Sequence, residues 1–143
     1  MRKAIALLVI ALTFMAGNAF AQSDELVNTC ALNIGNATYM KDFKVKLQQS
    51  SVKPPPSSKF SILMNKGTIY KLNTCNADGY EGKVVVELYD GSKKLTTNMD
   101  ADGSLKEAFG FFCQKSGVYK IRAYFKDGKE DAAVVILSFM QKK

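Results

Sequence analysis

Apolar and polar positions from residue 59 onward form a repeating pattern of short apolar runs, each closed by Gly, Asn or Asp. This rhythm is typical of antiparallel strands joined by tight turns. Dipeptides such as Asp90-Gly91 and Asp127-Gly128 supply the turn chemistry that such connections need. We therefore predict strands over residues 59–65, 68–76, 83–90, 93–99, 105–114, 118–126 and 132–141.

One more strand precedes a proline-rich segment. Phe43, Val45 and Leu47 alternate with two lysines, which is the period of a half-buried strand. Residues 48–58 contain three consecutive prolines among serines and predict an extended linker. Eight short strands in a chain of this length predict an all-β fold, a two-sheet antiparallel sandwich of jelly-roll or Greek-key type.

A short N-terminal helix is predicted before the first strand. Residues 23–34 place Leu26 and Cys30 on one stripe at helical spacing, and Gly35 is a natural stop. Residues 84–86 and 134–137 are apolar at consecutive positions, so both faces of these strands need cover, and the helix is a candidate cover. In 118–126 the period-two alternation predicts that four residues face the core: Tyr119, Ile121, Ala123 and Phe125.

The first 21 residues predict a signal peptide. Arg2 and Lys3 precede an uncharged apolar run over 4–15, and Ala19-Phe20-Ala21 provides a small-x-small cleavage site. The run is shorter than the roughly 20 apolar residues that a membrane anchor needs. We predict a bacterial protein exported to the periplasm or beyond, with no transmembrane segment after cleavage. Residues 22–143 are predicted to form a single domain, in which 22–58 supply the helix, first strand and linker and 59–143 the sandwich body.

The composition narrows the possible functions. The chain has 20 Lys and Arg against 13 Asp and Glu, and its lysines are scattered among apolar positions, which favours solvent-facing strand positions over a polyanion patch. We predict no nucleic-acid partner. Histidine is absent, which removes the commonest general base and the Ser-His-Asp and Cys-His catalytic arrangements. We predict that the protein is not an enzyme, and the alternative is a carboxylate-based hydrolase using acids such as Asp78, Glu87 and Asp100.

Three cysteines remain after the predicted cleavage. In an oxidising compartment an odd number allows one disulfide with one spare thiol, or no disulfide. Cys75 and Cys113 both lie toward the ends of apolar strand patterns, where neighbouring strands can bring two β-carbons together. They are the predicted disulfide pair. Cys30 is the predicted free thiol, either a buried small residue on the helix or a partner for an intermolecular bond.

Two loops are candidates for binding. Asp78, Tyr80 and Glu81 occupy a glycine-flanked loop, and loops on a rigid scaffold commonly carry recognition. Asp100 and Asp102 precede a glycine in a spacing that weakly suggests calcium, although a hairpin turn is the simpler interpretation. No other cofactor is predicted.

Three segments resemble the pre-peptidase C-terminal domain family of β-sandwich modules. They are 66–70, 83–91 with its Leu-Tyr-Asp-Gly turn, and 116–121 with its Gly-x-Tyr-x-Ile strand, and the resemblance covers roughly residues 66–140. Residues 111–117 and 127–130 are also similar to small uncharacterised secreted bacterial proteins. The resemblance implies a non-catalytic domain that assists binding, secretion or stability.

These features predict a non-catalytic exported module that recognises an envelope protein or a surface glycan. The alternative is a structural subunit of an envelope complex that assembles through residues 22–58, with the three prolines as a spacer. A carboxylate-based hydrolase is the third and least favoured hypothesis.

Overall fold

The computed structural model describes residues 18–78 and 82–140, with the backbone alone for 18–23. Residues 1–17 of the predicted signal peptide, and Tyr80 and Glu81 of the predicted binding loop, lie outside the described residues. Residues 18–21 form the first turn of a helix, α1, which spans Asn18–Ala31.

The described chain forms two antiparallel sheets of four strands each. The first sheet has the order β1-β8-β3-β6 and the second β2-β7-β4-β5. This order is that of a jelly roll and confirms the predicted sandwich. The strands are β1 Thr38–Leu47, β2 Ser58–Met64, β3 Ile69–Asn76, β4 Val84–Asp90, β5 Lys93–Thr97, β6 Ala108–Phe112, β7 Gly117–Phe125 and β8 Asp131–Met140.

Strands β5 and β6 are shorter than the sequence pattern predicts. The residues between them cross from the second sheet to the first, and buried Asn98 supports the crossing. Its side-chain amide donates to the carbonyl oxygens of Val84 and Lys106, at 3.1 Å and 3.2 Å, and its carbonyl oxygen accepts from the Val86 N–H. The alternating pattern of residues 105–107 is therefore used in a connection and not in a strand.

The core lies between the sheets and follows the period-two pattern. Along β7 the four residues predicted to face inward are all buried, whereas Lys120 is exposed. Leu72 from β3 and Leu88 from β4 enter the same core from opposite sheets, and neither is exposed to solvent. Face-to-face burial of this kind is what makes the sandwich stable.

Helix α1 and a following 3-10 turn, Leu32–Ile34, cover part of the outer face of the first sheet. Cys30 and Ile34 pack against Val134 and Ile136 of β8, which confirms the predicted cover for that strand. Gly35 ends the segment with φ +64°, a conformation that favours glycine. Among the described residues, no helix combines the length and apolar character needed to cross a membrane.

The disulfide joins Cys30 to Cys75, and the predicted pairing of Cys75 with Cys113 is wrong. The Cys113 N–H bonds to the Thr68 carbonyl before the start of β3, whereas Cys75 lies near the end of that strand, about 23 Å away at 3.3 Å per residue. The two side chains also point to opposite faces, since Cys113 belongs to the core and Cys75 packs under the helix. Cys30 is therefore not the spare thiol; the free cysteine is Cys113, which is buried.

A carboxyl group is buried at the start of β8. Asp131 is fully buried, and its Oδ1 accepts a hydrogen bond from the Ala132 N–H at 2.6 Å, whereas its Oδ2 has no hydrogen-bond partner. Burial raises the pKa of Asp131 above its usual range, because desolvation penalises the charged form more than the Ala132 N–H and Lys83 stabilise it.

Replacing Cys30 and Cys75 together by alanine should lower the free energy of unfolding by about 3–4 kcal/mol, because the bond closes a long loop in the unfolded chain. Urea unfolding of the two proteins measures the difference. Thiol labelling of the native wild-type protein should leave all three cysteines unmodified, and labelling after unfolding without reductant should modify Cys113 alone. Labelling of Cys30 or Cys75 under that second condition would contradict the assignment.

Asp131→Asn should raise stability relative to the wild type at neutral pH and make little difference near pH 3. The folded pKa of Asp131 lies above the unfolded value of about 3.9, so the wild type loses stability as the pH rises from that value through the folded pKa. Asp102→Asn is the matched control, since hydrogen bonds from Ser104 lower the pKa of Asp102 and the sign of the effect should reverse. Thermal unfolding of the three proteins from pH 3 to 7 tests both signs.

Candidate binding surface

Large exposed apolar side chains concentrate at one end of the sandwich. Nine such residues are exposed in the described chain, and seven of them lie where β1, β3 and β7 begin or where β2, β6 and β8 end. In antiparallel sheets these termini meet at the same end. We call it the paired-turn end. The seven residues are Tyr39, Met40, Leu63, Ile69, Phe112, Val118 and Met140.

Five of these side chains form two patches, one on the outer face of each sheet. On the first sheet, Ile69 lies opposite both Phe112 and Met140 in the strand register. On the second sheet, Leu63 lies opposite Val118, and each is about two-thirds exposed, at 65% and 64%. Grouped apolar side chains on a soluble protein commonly mark an interaction site.

The turns between the two patches are bonded to each other. Residues 65–68 connect β2 to β3, and residues 113–116 connect β6 to β7. The Lys66 N–H donates to Ser116 Oγ at 2.7 Å, and the Gly67 N–H donates to the Cys113 carbonyl at 2.8 Å. The Cys113 N–H in turn donates to the Thr68 carbonyl at 3.0 Å. Main-chain bonds in both directions hold the two turns as one unit.

Two buried tyrosines of the core form hydrogen bonds with the two turns. The hydroxyl of Tyr70 accepts a hydrogen bond from the Asn65 N–H at 2.8 Å. The hydroxyl of Tyr119 donates to the Lys115 carbonyl, and burial together with the neighbouring Cys113 thiol raises the pKa of Tyr119, so this donor keeps its proton at physiological pH. Each turn is thus tied to a core residue, which fixes the shape of the surface before any partner arrives.

The paired-turn end also carries positive charge. Lys66 and Lys115 are exposed on the two turns, and exposed Lys120 follows Val118 on the same outer face. Among the described residues, the exposed acid at this end is Asp90, in the hairpin between β4 and β5. The surface therefore combines apolar patches with a basic rim, which suits an acidic partner.

The described residues of the two predicted loops lie at the opposite end. Asp78 is exposed in the connection from β3 to β4, and Asp100 and Asp102 lie in the connection from β5 to β6. The structure brings these connections to one end of the sandwich. Among the described residues of the connections at that end, which leave out 79–81, Val52 is the one large exposed apolar side chain.

The predicted calcium residues are used within their own turn. Asp102 Oδ1 accepts hydrogen bonds from the Ser104 hydroxyl at 2.7 Å and from the Ser104 N–H at 3.0 Å, and these bonds lower the pKa of Asp102. Asp100 Oδ1 lies 3.1 Å from the Lys106 ammonium. In the part of the chain that the structure describes, no group of three or more metal-ligating side chains occurs.

Glu87 faces outward from β4, as the strand alternation predicts, but it is buried rather than exposed. Its carboxylate lies 2.7 Å from the guanidinium of Arg122 and 3.4 Å from the ammonium of Lys94, and it accepts a third bond from the Tyr89 hydroxyl. These contacts link β4, β5 and β7 across the sheet. They give this carboxylate a structural role, whereas a glycosidase needs two carboxyl groups at the substrate.

A second surface feature is a shallow groove of about 640 Å³ between edge strands β1 and β2. It is lined by Phe43 and Phe60, whose ring centroids are 4.7 Å apart, and by lysines from both strands. Lysines on edge strands are a common protection against unwanted strand pairing. The lysines that line the groove are therefore explained by protection of the two edge strands.

Comparison with solved structures finds a similar fold in PliG of Aeromonas hydrophila, described as a periplasmic lysozyme inhibitor of g-type lysozyme. The TM-score is 0.53 at 11% sequence identity, over 72% of this chain and 88% of PliG. No family model matches the chain, and no curated protein matches it. At this identity the likeness concerns the fold, and it agrees with the predicted β-rich architecture. No matching family model supports the resemblance to pre-peptidase C-terminal domains.

Tyr70→Phe should loosen the paired-turn end by removing the acceptor of the Asn65 N–H. We expect a loss of about 1 kcal/mol in the free energy of unfolding and faster hydrogen exchange at residues 65–68. Tyr39→Phe is the control, because that hydroxyl is exposed and bonds to Asp42 outside the turns. Equal exchange of residues 65–68 in both variants would show that the tyrosine does not support the turn.

Proposed function

We propose that this chain is an exported, non-catalytic protein that binds a partner protein through its paired-turn end. The observation that carries the proposal is the placement of the Leu63–Val118 pair and the Ile69–Phe112–Met140 row on either side of two turns that bond to each other. Exposed apolar side chains on a rigid, hydrogen-bonded frame lose little entropy on binding. Apolar residues surrounded by polar turns are also the usual composition of an interface core and its rim.

The partner class that we propose is a lysozyme, a glycoside hydrolase that the chain would inhibit. The similar fold of PliG, itself a lysozyme inhibitor, supports this choice. The positive charge of the paired-turn end supports a lysozyme partner independently. Glycoside hydrolases carry acidic side chains at the bond they cleave, and Lys66 and Lys115 project from the turns that would face such a site.

The shape of the paired-turn end suits a cleft. Two stacked sheets are about 10 Å apart, so the end that joins them is narrow. Turns 65–68 and 113–116 connect the two sheets across this edge. A narrow, pre-formed edge can enter a groove shaped for a polysaccharide chain and exclude the substrate without any chemistry of its own.

The predicted export of this chain agrees with the proposed inhibition of a lysozyme. Lysozymes attack the cell-wall glycan outside the cytoplasm, so an inhibitor must meet them there. The predicted signal peptide and the Cys30–Cys75 disulfide both favour an oxidising compartment outside the cytoplasm. A protein that protects the wall of its own cell in the periplasm would have this combination of features.

Val118→Asp should weaken binding to g-type lysozyme about tenfold or more, since it places a charge in the centre of the second-sheet patch. Val52→Asp is a matched control, because Val52 and Val118 have the same exposure, 64%, and lie at opposite ends. Titration calorimetry measures the affinity, and the rate of cell-wall lysis measures inhibition.

The wild-type chain should slow lysis, and the Val52→Asp variant should do so equally well. Equal loss in both variants would contradict the assignment of the paired-turn end. Failure of the wild type to bind any of a panel of lysozymes would contradict the partner class. Binding to purified peptidoglycan in the absence of enzyme would indicate a glycan ligand instead.

A further inference from the structure

Strand β6, Ala108–Phe112, is an edge of the first sheet with one side unpaired. It pairs with β3, and among the described residues no main-chain group beyond that pairing bonds to it along its other side. Gly110 and Phe112 are both exposed, and Phe112 is 52% accessible. The strand therefore presents open hydrogen-bonding groups to solvent.

This edge differs from the other three. Strand β1 carries three lysines and a bulge after Tyr39, and β5 carries Lys93 and Lys94 with a register shift next to them. Strand β2 carries Lys59. These are the features by which proteins block unwanted strand addition. The sequence of β6 is Ala-Phe-Gly-Phe-Phe, with no charge, no proline and no bulge.

The hydrogen-bond alternation determines which groups are open. The Glu107 carbonyl accepts from the Thr74 N–H, and the Cys113 N–H donates to the Thr68 carbonyl, so the odd-numbered positions bond toward β3. By the alternation of an antiparallel ladder, the main-chain groups of Ala108, Gly110 and Phe112 point away from β3. Three N–H groups and three carbonyl groups thus face outward in one row.

We propose that a second copy of this chain adds its own β6 to this edge, antiparallel, about a two-fold axis at Gly110. In this register Gly110 lies opposite Gly110 of the second copy, and Ala108 lies opposite Phe112. All the open groups are then paired, in about six hydrogen bonds. The result is one continuous eight-stranded sheet with an isologous, closed interface.

Side chains fit this register. Phe112 of each copy lies beside Ala108 and near Gly110 of the other, and these small residues leave room for the ring. The charges at the ends of the strand are complementary. Glu107 and Lys115 are both exposed, and the two-fold axis brings the turn that carries Lys115 of the second copy alongside Glu107. Two opposite-charge contacts therefore flank the apolar centre of the interface.

The dimer covers Phe112 and engages Lys115 of the proposed binding surface, and it leaves the second-sheet patch of each copy open. Because the two β6 strands run antiparallel, the two paired-turn ends point in opposite directions. Leu63 and Val118 belong to the other sheet and stay exposed. The inference therefore goes beyond the proposed function and does not depend on it.

Light scattering coupled to size-exclusion chromatography of the mature chain, over a range of concentrations, tests the dimer. Gly110→Lys places like charges opposite each other at the axis and should give a monomer. The monomer fold accommodates this substitution, since a Cβ at Gly110 meets the Tyr70 carbonyl oxygen at 3.8 Å, an ordinary contact. Ser61→Lys on edge strand β2 adds the same charge elsewhere and should remain dimeric.

Gly110→Cys tests the register directly. Opposed Cα atoms in a hydrogen-bonded antiparallel pair are about 5.5 Å apart, which is within disulfide range. Mild oxidation should therefore produce a dimer whose cross-link maps to residue 110 in both copies. Circular dichroism checks that each variant is folded. A wild-type monomer at every concentration, or a Gly110→Lys variant as dimeric as the wild type, would overturn the inference, and neither result bears on lysozyme inhibition by the monomer.

Discussion

Burial of inward-facing side chains between the two sheets is the interaction on which the rest of this structure depends. Leu72 of the first sheet and Leu88 of the second have no exposed surface, and every strand contributes to the same layer or packs against it. Because strands consecutive in sequence mostly lie in different sheets, each connection except that between β4 and β5 crosses from one sheet to the other. The crossings close the ends of the sandwich and become the surfaces available for function.

The connections between the two sheets differ at the two ends of the sandwich. At the paired-turn end the crossings are short and bond to each other, with the hydroxyls of Tyr70 and Tyr119 reaching up from the core. At the opposite end the connections are longer, and their polar groups are used locally, as in the turn of Asp102 and Ser104. Exposed apolar side chains accumulate at the rigid end, where their positions are fixed. This coincidence of rigidity and apolar exposure is the main reason to place recognition there.

The outer faces of the two sheets also differ in what covers them. Helix α1 covers β8 and part of β3, fixed by the disulfide to Cys75, so the first sheet is buried on both sides at its centre. In the described part of the chain no helix lies over the second sheet, and the buried carboxylate of Glu87 links the strands of that face through Arg122 and Lys94. A carboxylate that first suggests catalysis is thus better explained as a link between strands.

Much of the fold follows from local sequence. The period-two alternation of 118–126 correctly placed Tyr119 in the core, and the same alternation put Val118 on the solvent side beside Lys120. An apolar residue on an otherwise polar face was therefore a sign, readable from the sequence, of the surface that we propose for binding. Likewise, Cys30 on the inner stripe of a helix predicted to cover a strand was a sign that this cysteine packs against the sheet.

Other features were decided by strand order, which no local pattern encodes. The strand partners of β3 place Cys113 at one end and Cys75 at the other, so the pair that sequence alone favoured cannot form. The same strand order makes β6 an edge and leaves Gly110 unpaired on one side. Hydrophobic periodicity is a property of neighbouring residues and determined the strands and their buried faces. The disulfide, the paired turns and the open edge depend on contacts between residues far apart in sequence, and only the tertiary structure decided those.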